Sequence, residues 1–466
     1  MIILYLLYSY MPFLSRKIYF PVHIDNFLCI YLISVFCMGV KMKKKEFVSA
    51  VFTLTLSMLI IQATSMAFNV FVSARIGSSG MGLFHLIMSV YNLAATIAIS
   101  GIPLAATRIT SALRRKSDAG CVLKKCLTLA SVFGGGAFCL LYLSAPSIAE
   151  KIIKVPEGVI PLRILACALP TIAISAAMNG YFTGLQKVSY ITVGKMAEEF
   201  SSIFITLILL KVFGTRNNPC TLLSCAIALS SLLGCILNGV MCFLSVKKCC
   251  AKSVVSYRKV LNVSLPVAAG AYMRSALNTA ENLIIPTALT RSGITDALSR
   301  YGTLKGMAIP VLTFPYVFLH SLISLLIPEI SGRFALKSKK SVLRAAKLSL
   351  TATFLFGTVV ASVLFIQGRR LGFALYKNPE AGLYIAALSL LAIPMYIDSV
   401  TDGILKGLNQ QVYCLKINVI DSMSRLPLIW FVLPIWGVWG YIAIMYISEL
   451  VNLSLSLARL KKVLAQ

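Results

Sequence analysis

The sequence predicts an all-α polytopic membrane protein, with about twelve transmembrane helices in two lobes of six. Three observations carry that expectation. Hydrophobic residues make up 58% of the 466 positions and charged residues 13%, where a soluble domain holds roughly 45–50% and 25%. The apolar residues fall in continuous runs of about twenty or more, not in the alternating segments of about ten that mark a membrane barrel. Motifs of the first half return in the second. A soluble core stops growing at about 250–300 residues, so no soluble interior could hold this much apolar mass. The same excess, at a mean hydropathy of +0.86, excludes a disordered chain.

Taken in order, residues 1–41 form an N-terminal extension. Apolar stretches near 1–14 and 27–40 flank Arg16, Lys17, His23 and Asp25, and each is shorter than the roughly 20 residues a span needs. Three readings stand: a signal-like segment, one extra span, or a stretch outside the native product. The third is preferred because Met42-Lys43-Lys44-Lys45-Glu46-Phe47 has the form of a natural start. Spans follow at roughly 47–73, 81–107, 122–146, 158–180, 188–212 and 219–245, then 258–288, 303–328, 341–366, 381–404, 412–435 and 438–458. The N-lobe is assigned to 42–250 and the C-lobe to 251–466.

Net charge is +29. The basic residues sit in short clusters between apolar runs, the distribution that sets orientation in a bilayer. Counted by loop, 26 Lys and Arg lie on the side that carries both termini and 10 on the other. Both termini are therefore expected in the cytoplasm of a multi-pass cell-membrane protein. Nucleic-acid binding is not expected, since no P-loop, zinc finger or basic helix accompanies the charge. The 13 cysteines contain no C-x-x-C, so no zinc or redox site is expected, and they read as small reduced apolar residues. No Walker motif occurs, and His23, His85 and His320 lie far apart. The chain is read as a non-enzyme with no catalytic residue, metal or cofactor.

Asn179-Gly180-Tyr181-Phe182-Thr183-Gly184-Leu185-Gln186 resembles Asp402-Gly403-Ile404-Leu405-Lys406-Gly407-Leu408-Asn409, and Tyr190/Tyr413 and Glu198/Asp421 share the same offset of 223. Ile102-Pro103 with Arg108 echoes Ile327-Pro328 with Arg333 at an offset of 225. A repeat of six helices keeps the two copies parallel in the membrane, related by an axis along its normal.

Tyr301-Gly302-x-x-x-Gly306-Met307-Ala308-Ile309-Pro310-Val311-Leu312-x-x-Pro315, followed by Leu326-Ile327-Pro328-Glu329-Ile330-Ser331, resembles the seventh–eighth helix region of the stage V sporulation protein B family. So does Ala74-Arg75-Ile76-Gly77-x-x-Gly80-x-Gly82-Leu83, with Gly101-Ile102-Pro103-Leu104-Ala105 after it. The resemblance covers roughly 43–460 and places the chain in the polysaccharide branch of the multidrug/oligosaccharidyl-lipid/polysaccharide exporter superfamily. It implies two lobes around a central cavity, alternating access, and an undecaprenyl-diphosphate-linked saccharide as cargo. A peptidoglycan precursor in sporulation is one such cargo. Membrane lipids are implied partners, with envelope-synthesis enzymes as candidate partners. The alternative within the superfamily is a drug/organic-cation antiporter, which wants carboxylates in its binding lobe. The first two spans hold none after Glu46, which favours an anionic cargo.

A charge at the bilayer centre costs about 2.5–3.5 kcal/mol on insertion scales, so polar residues inside spans face a cavity or a partner. In the first span Gln62, Ser65, Asn69 and Ser73 share one helical face. In the second, His85, Ser89, Asn92, Thr96 and Ser100 share another. In the seventh, Gly270, Arg274, Asn278 and Glu281 do so, with Asn282 beside them. The candidate substrate-binding set is thus Arg274, Asn278, Glu281, Asn282, Gln62, Asn69, His85 and Asn92. Arg274 is the centre of the set: its guanidinium offers the planar fork that matches a diphosphate. The bland reading of the same faces is interhelical hydrogen bonding, and for Arg274 an ion pair with an acid such as Asp398. Lys195 with Glu198 or Glu199, and Asp421 with Arg425, have helical pair spacing and read as structural. Prolines 103 and 328 are expected as equivalent hinges, and a double-cysteine bridge from Gly80 to Asp296 as a lock on rocking of the lobes.

Overall fold

The computed structural model describes residues 44–113, 119–213, 218–245, 256–336 and 338–465. Two compact units divide the chain, Met1–Thr55 and Leu56–Gln466. In the first, only the helical stretch from Lys44 is described, so the expectation for residues 1–41 lies outside the described residues.

The described chain is helical throughout. In order it forms α1 (Lys44–Ile99), α2 (Ile102–Ser111), α3 (Ala119–Ser147), α4 (Val159–Gly184), α5 (Val188–Phe213), α6 (Pro219–Ser245) and α7 (Tyr257–Arg291). The remainder is α8 (Ala297–Gly302), α9 (Ile309–Thr313), α10 (Tyr316–Ala335), α11 (Lys339–Tyr376), α12 (Pro379–Leu388), α13 (Ala392–Gly407) and α14 (Gln411–Ala465). Among the described residues eight helical stretches are long and apolar enough to cross a membrane; two of them are bent pairs, and α5 and α7 bring the helical legs to the expected twelve. Gly77 breaks α1 at φ 69° and Gly437 breaks α14 at φ 57°, a left-handed backbone that glycine enters without a Cβ penalty. Both lie where the apolar runs pause. Among the described residues α3 and α6 expose side chains such as Leu143 (77%) and Phe243 (85%), an apolar exterior fit for lipid. Of the described cysteines eight are free; Cys121, expected reduced, is disulfide-bonded.

Within the first half, α4 packs on α2, α3 and α6, and α5 packs on α6. Phe182 and Tyr181 of α4 meet Leu123 of α3 and Cys242 of α6 in one buried cluster. In the second half α13 packs on α10, α11 and α14, and α14 also packs on α7.

The repeat glycines pack alike. A Cβ on Gly180 would lie 2.4 Å from the Pro103 carbonyl oxygen, and one on Gly184 3.0 Å from that of Thr107. Their counterparts Gly403 and Gly407 stand against Ile323 and Ile327. The Thr107 hydroxyl donates to the Gly180 carbonyl at 3.0 Å, and the Ser331 hydroxyl to that of Gly407 at 2.8 Å. Pro103 thus corresponds to Ile323, an offset of 220 and not 225. The expected equivalence of Pro103 with Pro328 is corrected accordingly. Pro103 opens α2 just after the Ser100–Gly101 break, whereas Pro328 lies inside the continuous α10. The eighth span breaks earlier, in a wide π-turn at Thr303–Ala308 just before Pro310, and again at Pro315. Each proline there removes a backbone donor.

The same offset governs the contact between the halves. A Cβ on Gly82 would lie 2.2 Å from the carbonyl oxygen of Leu298, and one on Gly302 1.9 Å from that of Ser78. The Ser78 and Ser299 hydroxyls meet at 2.6 Å. Residues 78 and 82 map onto 298 and 302, so each glycine receives the other's helix in the same way. This is the self-complementary contact of a twofold interface, made here within one chain.

Candidate functional site

The second leg of α1, continued by α2, runs antiparallel to α7, and hydroxyls hold the pair together. Thr279 donates to the Ser89 carbonyl at 3.0 Å, and Asn282 Nδ2 to Ser89 Oγ at 3.1 Å. Thr96 donates to Ser275 at 3.3 Å, and Ser100 bonds Tyr272. Gly101 ends the run, where a Cβ would meet the Ser264 carbonyl at 2.6 Å. Ser89, Thr96 and Ser100 are therefore engaged between the helices, as is the Asn282 Nδ2, while the buried Asn282 Oδ1 has no hydrogen-bond partner among the described residues.

Asn92 lies midway between Ser89 and Thr96, and Asn278 between Ser275 and Asn282, so the two asparagines share one level of the pair. Both are exposed, as is Arg274 one turn from Asn278. Arg274 has no ion-pair partner among the described residues. Together the three form a polar strip with one unneutralised cation, although α7 is flanked by apolar spans.

Glu281 is placed differently. It is 3% exposed, and both its oxygens are occupied. Tyr441 OH donates to Oε1 at 2.7 Å, Lys305 Nζ stands 3.6 Å from Oε1, and Arg425 Nη1 stands 3.3 Å from Oε2. Arg425 also reaches Asp421, with Nε 3.2 Å from Oδ2, as the helical spacing predicts. Ser448 donates to the other Asp421 oxygen. Lys305 lies over the Tyr441 ring at 5.1 Å. Two carboxylates thus balance two cations in a knot of α7, the π-turn and α14. Glu281, expected in the substrate set, is closed off by its ion pairs, because a buried charge demands compensation.

The remaining candidates scatter. His85 is half-buried against Gly306, whose Cβ would lie 3.1 Å from His85 Cδ2. Asn69 accepts from Tyr376 OH at 3.2 Å, across to the end of α11. Gln62 is half-buried. Asp398 is not Arg274's partner: its Oδ2 accepts from Asn452 at 2.9 Å. Tyr441, Lys305 and Arg425 are the residues missed as a group. The available signal was charge balance, since a buried Glu281 requires cations, but spacing could not say which.

The family described as polysaccharide biosynthesis protein matches residues 47–334, well over half of the chain. The chain belongs to that family. Stage V sporulation protein B of Bacillus subtilis (strain 168) is 24% identical over 419 residues, covering 86% of this chain and 80% of that protein. The lipid II flippase MurJ of the same organism is 29% identical over 177 residues, 35% of this chain and 32% of that one. Among solved structures, the inward-facing conformation of a multidrug resistance MATE family transporter of the MOP superfamily superposes with a TM-score of 0.70. It is 14% identical, and the match covers 88% of this chain and 98% of that one. The chain is a multi-pass membrane protein by its long apolar helices, it shares the fold of that transporter, and the relatives it resembles are named for flipping and sporulation and not for catalysis.

Proposed function

We propose that the chain is a flippase for an undecaprenyl-diphosphate-linked cell-envelope saccharide. It works by alternating access of an N-lobe (42–250) and a C-lobe (251–466), with both termini in the cytoplasm. The observation that carries the reading is the state of Arg274. Its guanidinium is exposed in mid-span and unneutralised, while Glu281 on the same helix is already ion-paired. An unpaired guanidinium flanked by amides suits a diphosphate joined to a sugar. Arg274 would hold the diphosphate, and Asn278 and Asn92 would contact sugar or phosphate oxygens. Glu281, with its knot, would set the local field and not touch cargo.

The names of the relatives, one in sporulation and one a lipid II flippase, favour a peptidoglycan precursor as the cargo, with envelope-synthesis enzymes nearby. The antiporter alternative wants an open carboxylate for an organic cation, and on α7 the carboxylate is the closed group. Reconstitution into liposomes separates the two readings. The flippase reading expects inward-to-outward movement of a lipid-linked disaccharide and no proton- or sodium-driven extrusion of ethidium. Ethidium extrusion without saccharide movement would overturn it.

A further inference from the structure

At the end of the molecule where α11 begins and α14 finishes, the two helices leave an open groove of about 360 Å3. Leu343, Lys347 and Leu350 line one wall; Leu457, Lys461 and Leu464 line the other. Each set repeats at i, i+4 and i+7, on one helical face. Ala346 and Leu460, both buried, make the floor, and the small alanine gives the groove its depth. The lining is almost wholly apolar, and Lys347 and Lys461 are its two charged residues.

No carboxylate on either helix lies along the groove walls. The sequence has no Asp or Glu between Glu329 and Glu380, and none after Glu449. Lys339, Lys340, Arg344, Arg459 and Lys462 add to the same end. An apolar slot with paired cations at one end of a membrane helix pair complements a lipid whose headgroup is anionic.

We propose that this groove binds one anionic phospholipid, its phosphate between Lys347 and Lys461 and the upper part of an acyl chain against the leucines. Each wall runs eight residues, seven steps of helix rise or about 10 Å. That length fits the part of an acyl chain just below a headgroup and is short for a long polyprenyl chain. Lysine suits the task, because its ammonium meets a phosphate as a point charge without a required plane. Arg274 and its helix α7 contribute nothing to this groove, so the lipid site is separate from the proposed cargo site and does not rest on it.

Native mass spectrometry of the purified full chain, titrated with phosphatidylglycerol or phosphatidylcholine, tests the proposal. The wild type should retain one phosphatidylglycerol in preference to phosphatidylcholine. Lys347→Glu with Lys461→Glu should lower that retention about tenfold or more, on the scale of two lost lysine–lipid contacts. Lys340→Glu with Lys462→Glu, the same charge change at the same end but off the groove, should leave it near wild type. Leu343→Trp, which fills the slot and spares the charges, should also lower it. Lys347→Gln with Lys461→Gln gives the same readout if the glutamates unfold the chain. Equal loss in both glutamate pairs would mean diffuse attraction and overturn the site. Unchanged retention in the Lys347/Lys461 variants would do the same. So would tighter retention of undecaprenyl phosphate than of phosphatidylglycerol through these two lysines.

Discussion

Gly82 and Gly302 occupy equivalent places in the two halves and pack backbone to backbone against each other's helices. Neither position has room for a Cβ. Gly302→Val should therefore push α8 from α1, at a cost of about 1–3 kcal/mol for overpacking. A disulfide formed from Ser78→Cys and Ser299→Cys, whose hydroxyls now meet at 2.6 Å, reads the separation on a gel. Bridging should be efficient in the parent and fall sharply once Gly302→Val is added. Undiminished bridging would show that the contact is not as close as described. If the lobes rock, the bridged protein should also stop flipping while remaining folded.

Glu281 anchors a buried charge knot, so its removal should act on stability. Glu281→Gln leaves Lys305 and Arg425 without their shared carboxylate, a loss of about 3–5 kcal/mol for breaking a buried pair. Tyr441→Phe removes one charge-assisted bond and should cost about 1.5–3 kcal/mol. Thermal unfolding followed by fluorescence size exclusion checks both. Glu281→Gln with a wild-type melting temperature would contradict the ion pairing.

Glycine positions separate cleanly by what stands opposite. Gly180→Ala places a methyl 2.4 Å from the Pro103 carbonyl oxygen and should destabilise the α2–α4 contact by about 1–3 kcal/mol. Gly136→Ala meets nothing within 4 Å and should be neutral, or stabilising by up to about 1 kcal/mol through helix propensity. The two variants compared in one melting series give the answer, and equal effects would count against the packing.

Much of the fold was legible because bilayer spans are written as long apolar runs. Gly77 and Gly437 fall in the pauses between expected spans, and Gly180/Gly403 and Gly184/Gly407 carry the repeat into real packing. The offset of the partner helix was misread, because Pro103 and Pro328 look alike in sequence while the contacts align Pro103 with Ile323. The site was legible only as faces. Helical periodicity put Ser89, Asn92 and Thr96 on one side of a helix, yet could not say that Ser89 and Thr96 bond to α7 while Asn92 stays open. Nor could it find Lys305, Arg425 and Tyr441 around Glu281, since those contacts join residues up to 160 positions apart.

The central claim is that Arg274 meets cargo and does not hold the fold. Arg274→Ala, purified and reconstituted, should melt close to wild type and lose flipping of a lipid-linked saccharide. Arg274→Lys should restore only part of the activity, because it keeps the charge without the fork. A well-folded Arg274→Ala protein that flips at the wild-type rate would contradict the account.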